Sequence, residues 1–433
     1  TYPSGDGQHS ALGDGMAVVV TDSGHEIDAT RANGAFLFGA DPQARDEYGD
    51  QQLPLVADAA KRLIAAYYGS PARYSYFYGC SNGGRQAMVA AQRLPDLFDG
   101  IIACSPGFRL AEASILGGII RPQLAATIAP RKADGSPDLG HPLDAATMAR
   151  IRTAILADCD DLDGARDGIV GHPAQCRFDP ANWACSRPDG KRRNDAVNAR
   201  TCLDDRVVRY VSAFLDGGRL KDGTRIYTSV PADPAGVEYM GAEPEAYFAL
   251  FAGEASHVYT TPPTITPDLL GYALHADPAT EYRKLSAQDA TFRRSGMALT
   301  NATSPDMDAF QRHGGKILFY NGTADWAFPT PDLEVYYARV GQRYGAEKAA
   351  SFTRLYIVPG MLHGHSREAA DQFDAMGALV DWVEQGKAPG TLAASTRRES
   401  VWPGRTRPLC VYPAQVTYTG AGSIEKASSF TCR

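Results

Sequence analysis

The sequence predicts an α/β fold, a parallel sheet flanked by helices and interrupted near its middle by a large insertion. Three observations predict it. Short apolar runs alternate with helical patterns in the first third of the chain. The same alternation returns after residue 315. Between them lies a stretch rich in Pro, Asp and Gly that breaks the rhythm and holds four cysteines.

The elements follow in order. Met16–Thr21 (MAVVVT) is a continuous apolar run, the pattern of a strand buried on both faces. Leu53–Tyr68 places Leu55, Val56, Ala59, Leu63 and Tyr67 at helical spacing. Tyr74–Tyr78 is short and aromatic, hence a strand, and the Ala-, Gln- and Arg-rich Gly83–Leu94 is a helix. Gly100–Cys104 (GIIAC) is a third strand. Strands and helices alternating in this way imply parallel strands joined by right-handed crossovers. From Phe108 to His313 the helical patterns Ala145–Ala157 and Arg206–Leu215 stand apart from that alternation, and the segment reads as an insertion capping the sheet. Then come a strand at Lys316–Tyr320, a helix at Leu333–Val340, a strand at Thr353–Val358 and an amphipathic helix at Ala370–Gln385. The tail Leu409–Phe430 is expected to be extended. Residues 1–107 and 314–433 therefore make one α/β domain, and 108–313 an inserted lid.

Composition narrows the function. The chain has 433 residues, with 43 Lys and Arg against 50 Asp and Glu, a net charge of −7. A mildly acidic chain has no reason to hold polyanions, so no nucleic-acid partner is expected. Apolar residues make up 44 %, too many for disorder. No apolar run approaches the ~20 residues of a membrane helix, so no membrane partner is expected. The eight cysteines contain no C-x-x-C, which favours disulfides over zinc and a secreted or periplasmic location. The missing initiator Met makes Thr1 a processed or trimmed start, with an incomplete N-terminus expected.

Gly79-Cys80-Ser81-Asn82-Gly83 matches G-x-S-x-G between a predicted strand and a predicted helix. That context lifts a serine hydroxyl above the sheet on a sharp turn. The following helix N-terminus then offers backbone N–H groups, that of Asn82 first, to an oxyanion. A serine nucleophile needs a base, and the base needs an orienting acid. In α/β-hydrolases both follow late strands, acid first. Asp325 follows Lys316–Tyr320, and His363 follows Thr353–Val358, with His365 as the rival base. His25, after the first apolar run, is expected to cap its loop through hydrogen bonds rather than line the site.

Asp158–Ile169 is a dense carboxylate loop. Asp160, Asp163 and Asp167, with the carbonyls of Ala165 and Ile169, make an all-oxygen set that suits calcium better than magnesium. The alternative is a solvated acidic turn.

At these residues the chain resembles the tannase/feruloyl esterase family, which includes the mono-(2-hydroxyethyl) terephthalate hydrolases. The resemblance runs from about Ala17 to Cys432. It is strongest at Tyr74–Gln86, and continues through Asp99–Ala103, the acidic loop, Gly314-Gly315-Lys316, Gly360–His363, Arg407–Cys410 and Phe430–Cys432. It implies an α/β-hydrolase fold with an inserted lid, Ser81 as nucleophile, Asp325 as acid, His363 as base and structural calcium at Asp160, Asp163, Ala165, Asp167 and Ile169. It also implies disulfides Cys159–Cys176, Cys185–Cys202 and Cys410–Cys432, each contributing about 3 kcal/mol.

Two departures stand out. The family places a cysteine directly after the catalytic histidine and bonds it to the cysteine before the serine, but here Gly364 occupies that position. Cys80 is left with Cys104, either bonded across neighbouring strands or both as free thiols. The family also supplies a second oxyanion N–H from a glycine-rich turn upstream of Met16, and none stands there in a matching position.

The expected function is hydrolysis of aromatic, feruloyl- or galloyl-type esters, with the Tyr- and Phe-rich Tyr239–Tyr259 offering stacking surfaces. A second reading is a terephthalate-monoester or other polyester-fragment hydrolase, with Arg109, Arg283, Arg293 or Arg294 meeting the free carboxylate. A third, of another class, is an inactive, calcium-stabilised binding protein. Asn301-Ala302-Thr303 and Asn321-Gly322-Thr323 match the glycosylation sequon, the latter very close to Asp325.

Overall fold

The computed structural model describes residues 11–186, 200–242 and 244–433. In chain order, the elements used below are α1 (Gln52–Tyr68), β1 (Tyr76–Cys80), α2 (Asn82–Arg93), β2 (Gly100–Cys104), α3 (Ala145–Cys159), α4 (Asp205–Asp216) and α5 (Pro244–Gly253), then β3 (Lys316–Gly322), α6 (Thr330–Tyr344), β4 (Thr353–Val358) and α7 (Ala375–Gln385).

The four strands form one parallel sheet in the order β1-β2-β3-β4. Side chains alternate between its faces. Ile101, Ala103, Ile317, Phe319 and Leu355 share one face with Ala87 and Met88 of α2 and Leu333, Tyr336 and Val340 of α6. Ile102, Leu318, Tyr320, Tyr356 and Val358 share the other with Met376, Leu379 and Trp382 of α7. Both faces are covered, so these strands read as unbroken apolar runs. Each fully buried Leu, Ile or Phe contributes roughly 1.5–3 kcal/mol.

Between β2 and β3 the insertion builds its own hydrophobic cluster. It includes Ile151 and Ile155 of α3, Val207, Val211 and Phe214 of α4, and Phe248 and Phe251 of α5. Trp326, Ala327 and Phe328, from the loop after β3, belong to the same cluster. Asp144 and Asp204 start α3 and α4 by accepting the N–H groups of Thr147 and Val207.

Two expectations at the front need correction. Met16–Thr21 forms no strand, and Val20 is 88 % exposed. An apolar run becomes a strand only with a ladder partner, and among the described residues it has none. α1 forms where expected, yet Leu55, Leu63 and Tyr67 face solvent, while Leu53 and Ala57 carry its burial. The tail Leu409–Phe430 is extended only in part: Val416–Tyr418 pairs antiparallel with Phe430–Cys432, and turns and a short 3-10 helix fill most of the rest, while Leu409 ends a preceding ladder of Leu392–Ser395 with Thr406–Leu409.

Four disulfides are formed: Cys80–Cys104, Cys159–Cys176, Cys185–Cys202 and Cys410–Cys432. Register accounts for the first, since Cys80 and Cys104 are paired residues at the ends of β1 and β2. Among the described residues no helix is long and apolar enough to cross a membrane.

Candidate active site

Ser81 sits between β1 and α2 at φ 61° and ψ −122°, a conformation that residues other than glycine rarely adopt. Main-chain bonds hold it there. Ser81 N–H donates to the Cys104 carbonyl at 3.0 Å, and the Ser81 carbonyl accepts from Arg85 N–H at 3.0 Å and Gly107 N–H at 3.2 Å. Gly79 is required by the same turn, because a Cβ there would lie 2.2 Å from the Gly83 carbonyl oxygen. The Cys80–Cys104 disulfide ties this elbow to the end of β2.

Asn82 opens α2, so its N–H is among those without a partner inside the helix. Its Oδ1 accepts from Arg85 Nε at 2.7 Å. Arg85 is fully buried and also donates to the carbonyls of Tyr48 and Gly49, both at 2.8 Å. Sequence reasoning gave Arg85 no role, although it lies inside the strongest stretch of resemblance.

Asp325 lies just past β3 and is completely buried. Its Oδ1 accepts the N–H groups of Ala327 at 2.9 Å and Phe328 at 3.0 Å. Its Oδ2 meets Nδ1 of His363, in the loop after β4, at 2.8 Å. Burial of the imidazole disfavours its charge, but the charge of Asp325 and the hydrogen bond that Nδ1–H donates to it win, and the His363 pKa is raised above 6.5. Phe328 meets the His363 ring edge-on at 5.2 Å. The rival His365 is exposed and pairs with no carboxylate among the described residues. Ser81, Asp325 and His363 thus follow the C-terminal ends of β1, β3 and β4, the side where open parallel sheets place ligands. The structure joins Asp325 to His363 and leaves Ser81 Oγ without a hydrogen bond to the ring; such bonds tighten when substrate arrives.

Aromatic side chains run from the insertion toward the base. Tyr239 and Tyr247 lie 5.1 and 5.3 Å from Trp326, and Phe251 lies 5.9 Å from it. Phe251 also meets Phe328 at 6.4 Å. The expected Tyr239–Tyr259 stretch supplies Tyr239, Tyr247 and Phe251 of this wall, and Trp326 and Phe328, beside the acid, supply the rest.

In the acidic loop, Asp163 and Asp167 are buried. Asp160 Oδ1 accepts from Asp167 N–H and Gly168 N–H, and Asp163 Oδ1 from Ala165 N–H. Asp167 pairs with Arg407. Burial first, then the charges of Asp167 and Asp160, pushes Asp163 up to about 6 against the pull of Ala165 N–H and Arg407. Burial likewise raises Asp160, with Asp167 adding to it. Among the described residues no three acidic, histidine or cysteine side chains converge as a ready-made metal cage. The donor set is nevertheless all hard oxygen, and its carboxylates repel one another, which is the chemistry a calcium ion relieves.

A family model described as tannase and feruloyl esterase matches residues 2–433. The chain belongs to the tannase and feruloyl esterase family. It is a carboxylic ester hydrolase, and the reading as an inactive binding protein is set aside. The esterase is 34 % identical to the mono(2-hydroxyethyl) terephthalate hydrolase of Piscinibacter sakaiensis over 98 % of this chain and 74 % of that protein. It is 27 % identical to feruloyl esterase B of Aspergillus niger over 96 % of this chain and 76 % of that one. The crystal structure of feruloyl esterase B from Aspergillus oryzae superposes with a TM-score of 0.76 at 23 % identity, covering 98 % of this chain and 81 % of that chain. That likeness supports the shared α/β fold.

Within the esterase, Cys80 answers one departure from the family pattern by bonding to Cys104, the alternative of two free thiols being excluded. His363 is then held by Asp325 and by packing against Phe328. The hydrogen-bonded loop cap expected of His25 is not formed among the described residues: its buried Nδ1 has no hydrogen-bond partner, and the ring instead stacks on Phe38 at 3.9 Å. Both sequon amides are engaged, and the buried Asn321 is closed to a glycan as it stands. Asn321 is buried and donates to the Phe328 carbonyl, and Asn301 Nδ2 donates to Glu112.

Proposed function

We propose that the esterase hydrolyses esters of phenolic aromatic acids, of feruloyl or galloyl type, through a serine-bound acyl-enzyme. The Asp325–His363 hydrogen bond at the same C-terminal end of the sheet as the strained Ser81 elbow is the observation that carries this reading. His363 Nε2 takes the Ser81 proton as Oγ forms its bond to the ester carbonyl carbon. The Asn82 N–H stabilises the resulting oxyanion. His363 returns the proton to the alcohol oxygen as the carbon–oxygen bond breaks. It then takes a proton from water, whose oxygen bonds to the acyl carbon, and hands that proton to Ser81 Oγ as the acyl–Oγ bond breaks and the acid leaves. Residues 108–313 act as the lid over this site, and Tyr239, Tyr247, Trp326 and Phe328 favour an aromatic acyl group.

Two of the arginines weighed for a terephthalate carboxylate are already spent. Arg109 pairs with Glu112 and Asp332, and Arg294 with Asp46 and Asp50. This leaves Arg283 and Arg293 as the candidates for a second carboxylate. Kinetics on a panel of methyl esters are expected to give kcat/KM at least about tenfold higher for ferulate and gallate than for aliphatic acids or methyl hydrogen terephthalate, the scale of a good hydrophobic contact difference. Preference for aliphatic acyl groups removes the aromatic reading, and preference for the terephthalate monoester replaces the phenolic one.

The acidic loop is proposed to bind a structural calcium ion through Asp160, Asp163, Asp167 and the carbonyls of Ala165 and Ile169. The ion would neutralise the buried carboxylates of a loop whose Ile169 packs against Gly360, three residues before His363. Removal of calcium with a chelator is expected to lower thermal stability by on the order of 2–3 kcal/mol at saturating ion, with recovery on adding Ca²⁺ and not Mg²⁺. A melting temperature indifferent to chelator contradicts the site. The four disulfides support a secreted or periplasmic location.

A further inference from the structure

A polar connection lies beneath the loops that carry Asp325 and His363. Thr323 Oγ donates to Asp233 Oδ2 at 2.6 Å and accepts the Gly360 N–H at 2.7 Å. Asp233 Oδ1 accepts the N–H of Ala235 at 2.9 Å. Thr323 lies two residues before Asp325, and Gly360 three before His363. Asp233, Thr323 and Gly360 are all buried. The two loops also touch directly. Thr323 N–H donates to the Val358 carbonyl and Ala324 N–H to the Met361 carbonyl, each at 3.1 Å, and a Cβ on Gly322 would meet the Met361 carbonyl oxygen at 1.9 Å.

We propose that Asp233 and Thr323 are positioning residues, the Asp233–Thr323–Gly360 relay setting the spacing and orientation of Asp325 against His363. It rests on the serine-esterase reading above. A buried carboxyl is costly unless its oxygens are hydrogen-bonded, and an apolar residue would fill the same space without that cost. Here both oxygens of Asp233 are engaged, one of them by the hydroxyl that links the acid loop to the base loop. Burial, with the charge of Glu368 adding to it, raises Asp233 to about 6 against the hydrogen bonds from Thr323, Ala235 and Gly360. Asp233 belongs to the insertion, so the segment expected to cover the site also reaches under its catalytic loops.

The test uses Thr323→Val, which keeps shape and removes the hydroxyl, Thr323→Ser, which restores it, and Asp233→Asn, which removes one of the two acceptors. The readouts are kcat and KM on an aryl ester, and the downfield proton resonance of His363 Nδ1–H. Thr323→Val and Asp233→Asn are each expected to lower kcat on the order of 10–100-fold, the cost of small misplacements in a catalytic group. KM should stay within about twofold, the His363 resonance should shift or broaden, and Thr323→Ser should return both readouts close to wild type. Wild-type kcat in Thr323→Val overturns the relay, as does a kcat loss that leaves the resonance unmoved. If Thr323→Val does not fold, Asp233→Asn decides by the same criteria. If the wild-type chain neither turns over esters nor reacts with a fluorophosphonate, the serine reading has failed, and the resonance alone decides the relay: a shift upholds it and no shift overturns it.

Discussion

Replacing Ser81 with alanine is expected to lower kcat for ester hydrolysis by roughly 10⁵–10⁶-fold, the scale seen when the nucleophile of a triad is removed. The argument starts from the backbone. A serine held at φ 61° stores strain that a packing turn has no reason to keep. Here the strain is held by the Cys104 carbonyl, by Arg85 N–H and Gly107 N–H, and by the disulfide at the preceding residue. Alanine keeps those bonds, so the fold and the Asp325–His363 pair should survive, while no hydroxyl remains to form the acyl bond. KM should change little, since the aromatic wall is untouched. Turnover within tenfold of wild type would place the chemistry on another residue.

Asp325→Asn is expected to lower kcat by about 10⁴-fold and to move the pH profile. Both effects come from the 2.8 Å contact with His363. The carboxylate fixes the imidazole with its proton on Nδ1, leaving Nε2 as the base. Asparagine is neutral and stabilises neither that tautomer nor the imidazolium formed when Ser81 is deprotonated. The direction of the pH shift follows from the balance at His363. Asp325 raises its pKa above 6.5 against burial, which alone lowers it. The base works unprotonated, so kcat/KM should rise with pH along a limb set by His363, above 6.5 in the wild type. Without the carboxylate only the lowering influence remains, and the residual activity should show this limb at lower pH. An unmoved limb would mean that some other group titrates there.

Some of this structure was legible in the residues, for physical reasons. β2 and β4 take the bounds expected from Gly100–Cys104 and Thr353–Val358, because strands buried on both faces leave unbroken apolar runs. The placement of Ser81 on an elbow and of Asp325 and His363 in loops after late strands was legible because these are local patterns. Met16–Thr21 misleads for the converse reason, since an apolar run reports what side chains prefer and says nothing of a partner strand. α1 was readable as a helix but not in its orientation, and Leu63 and Tyr67 are exposed where the periodicity placed a core face. Cys80–Cys104 depends on strand register, which no spacing along the chain encodes. The Asp233–Thr323 bond spans 90 positions and has no periodic signature. Only the fold brings the insertion beneath the catalytic loops.

The central claim is that Ser81 is the nucleophile, and covalent labelling tests it most directly. The folded protein is treated with a fluorophosphonate and digested, and the modified peptide is located by mass spectrometry. The account predicts a single adduct, on Ser81, with ester hydrolysis lost in proportion to labelling. An adduct on another serine, or full hydrolysis with Ser81 unmodified, would contradict it.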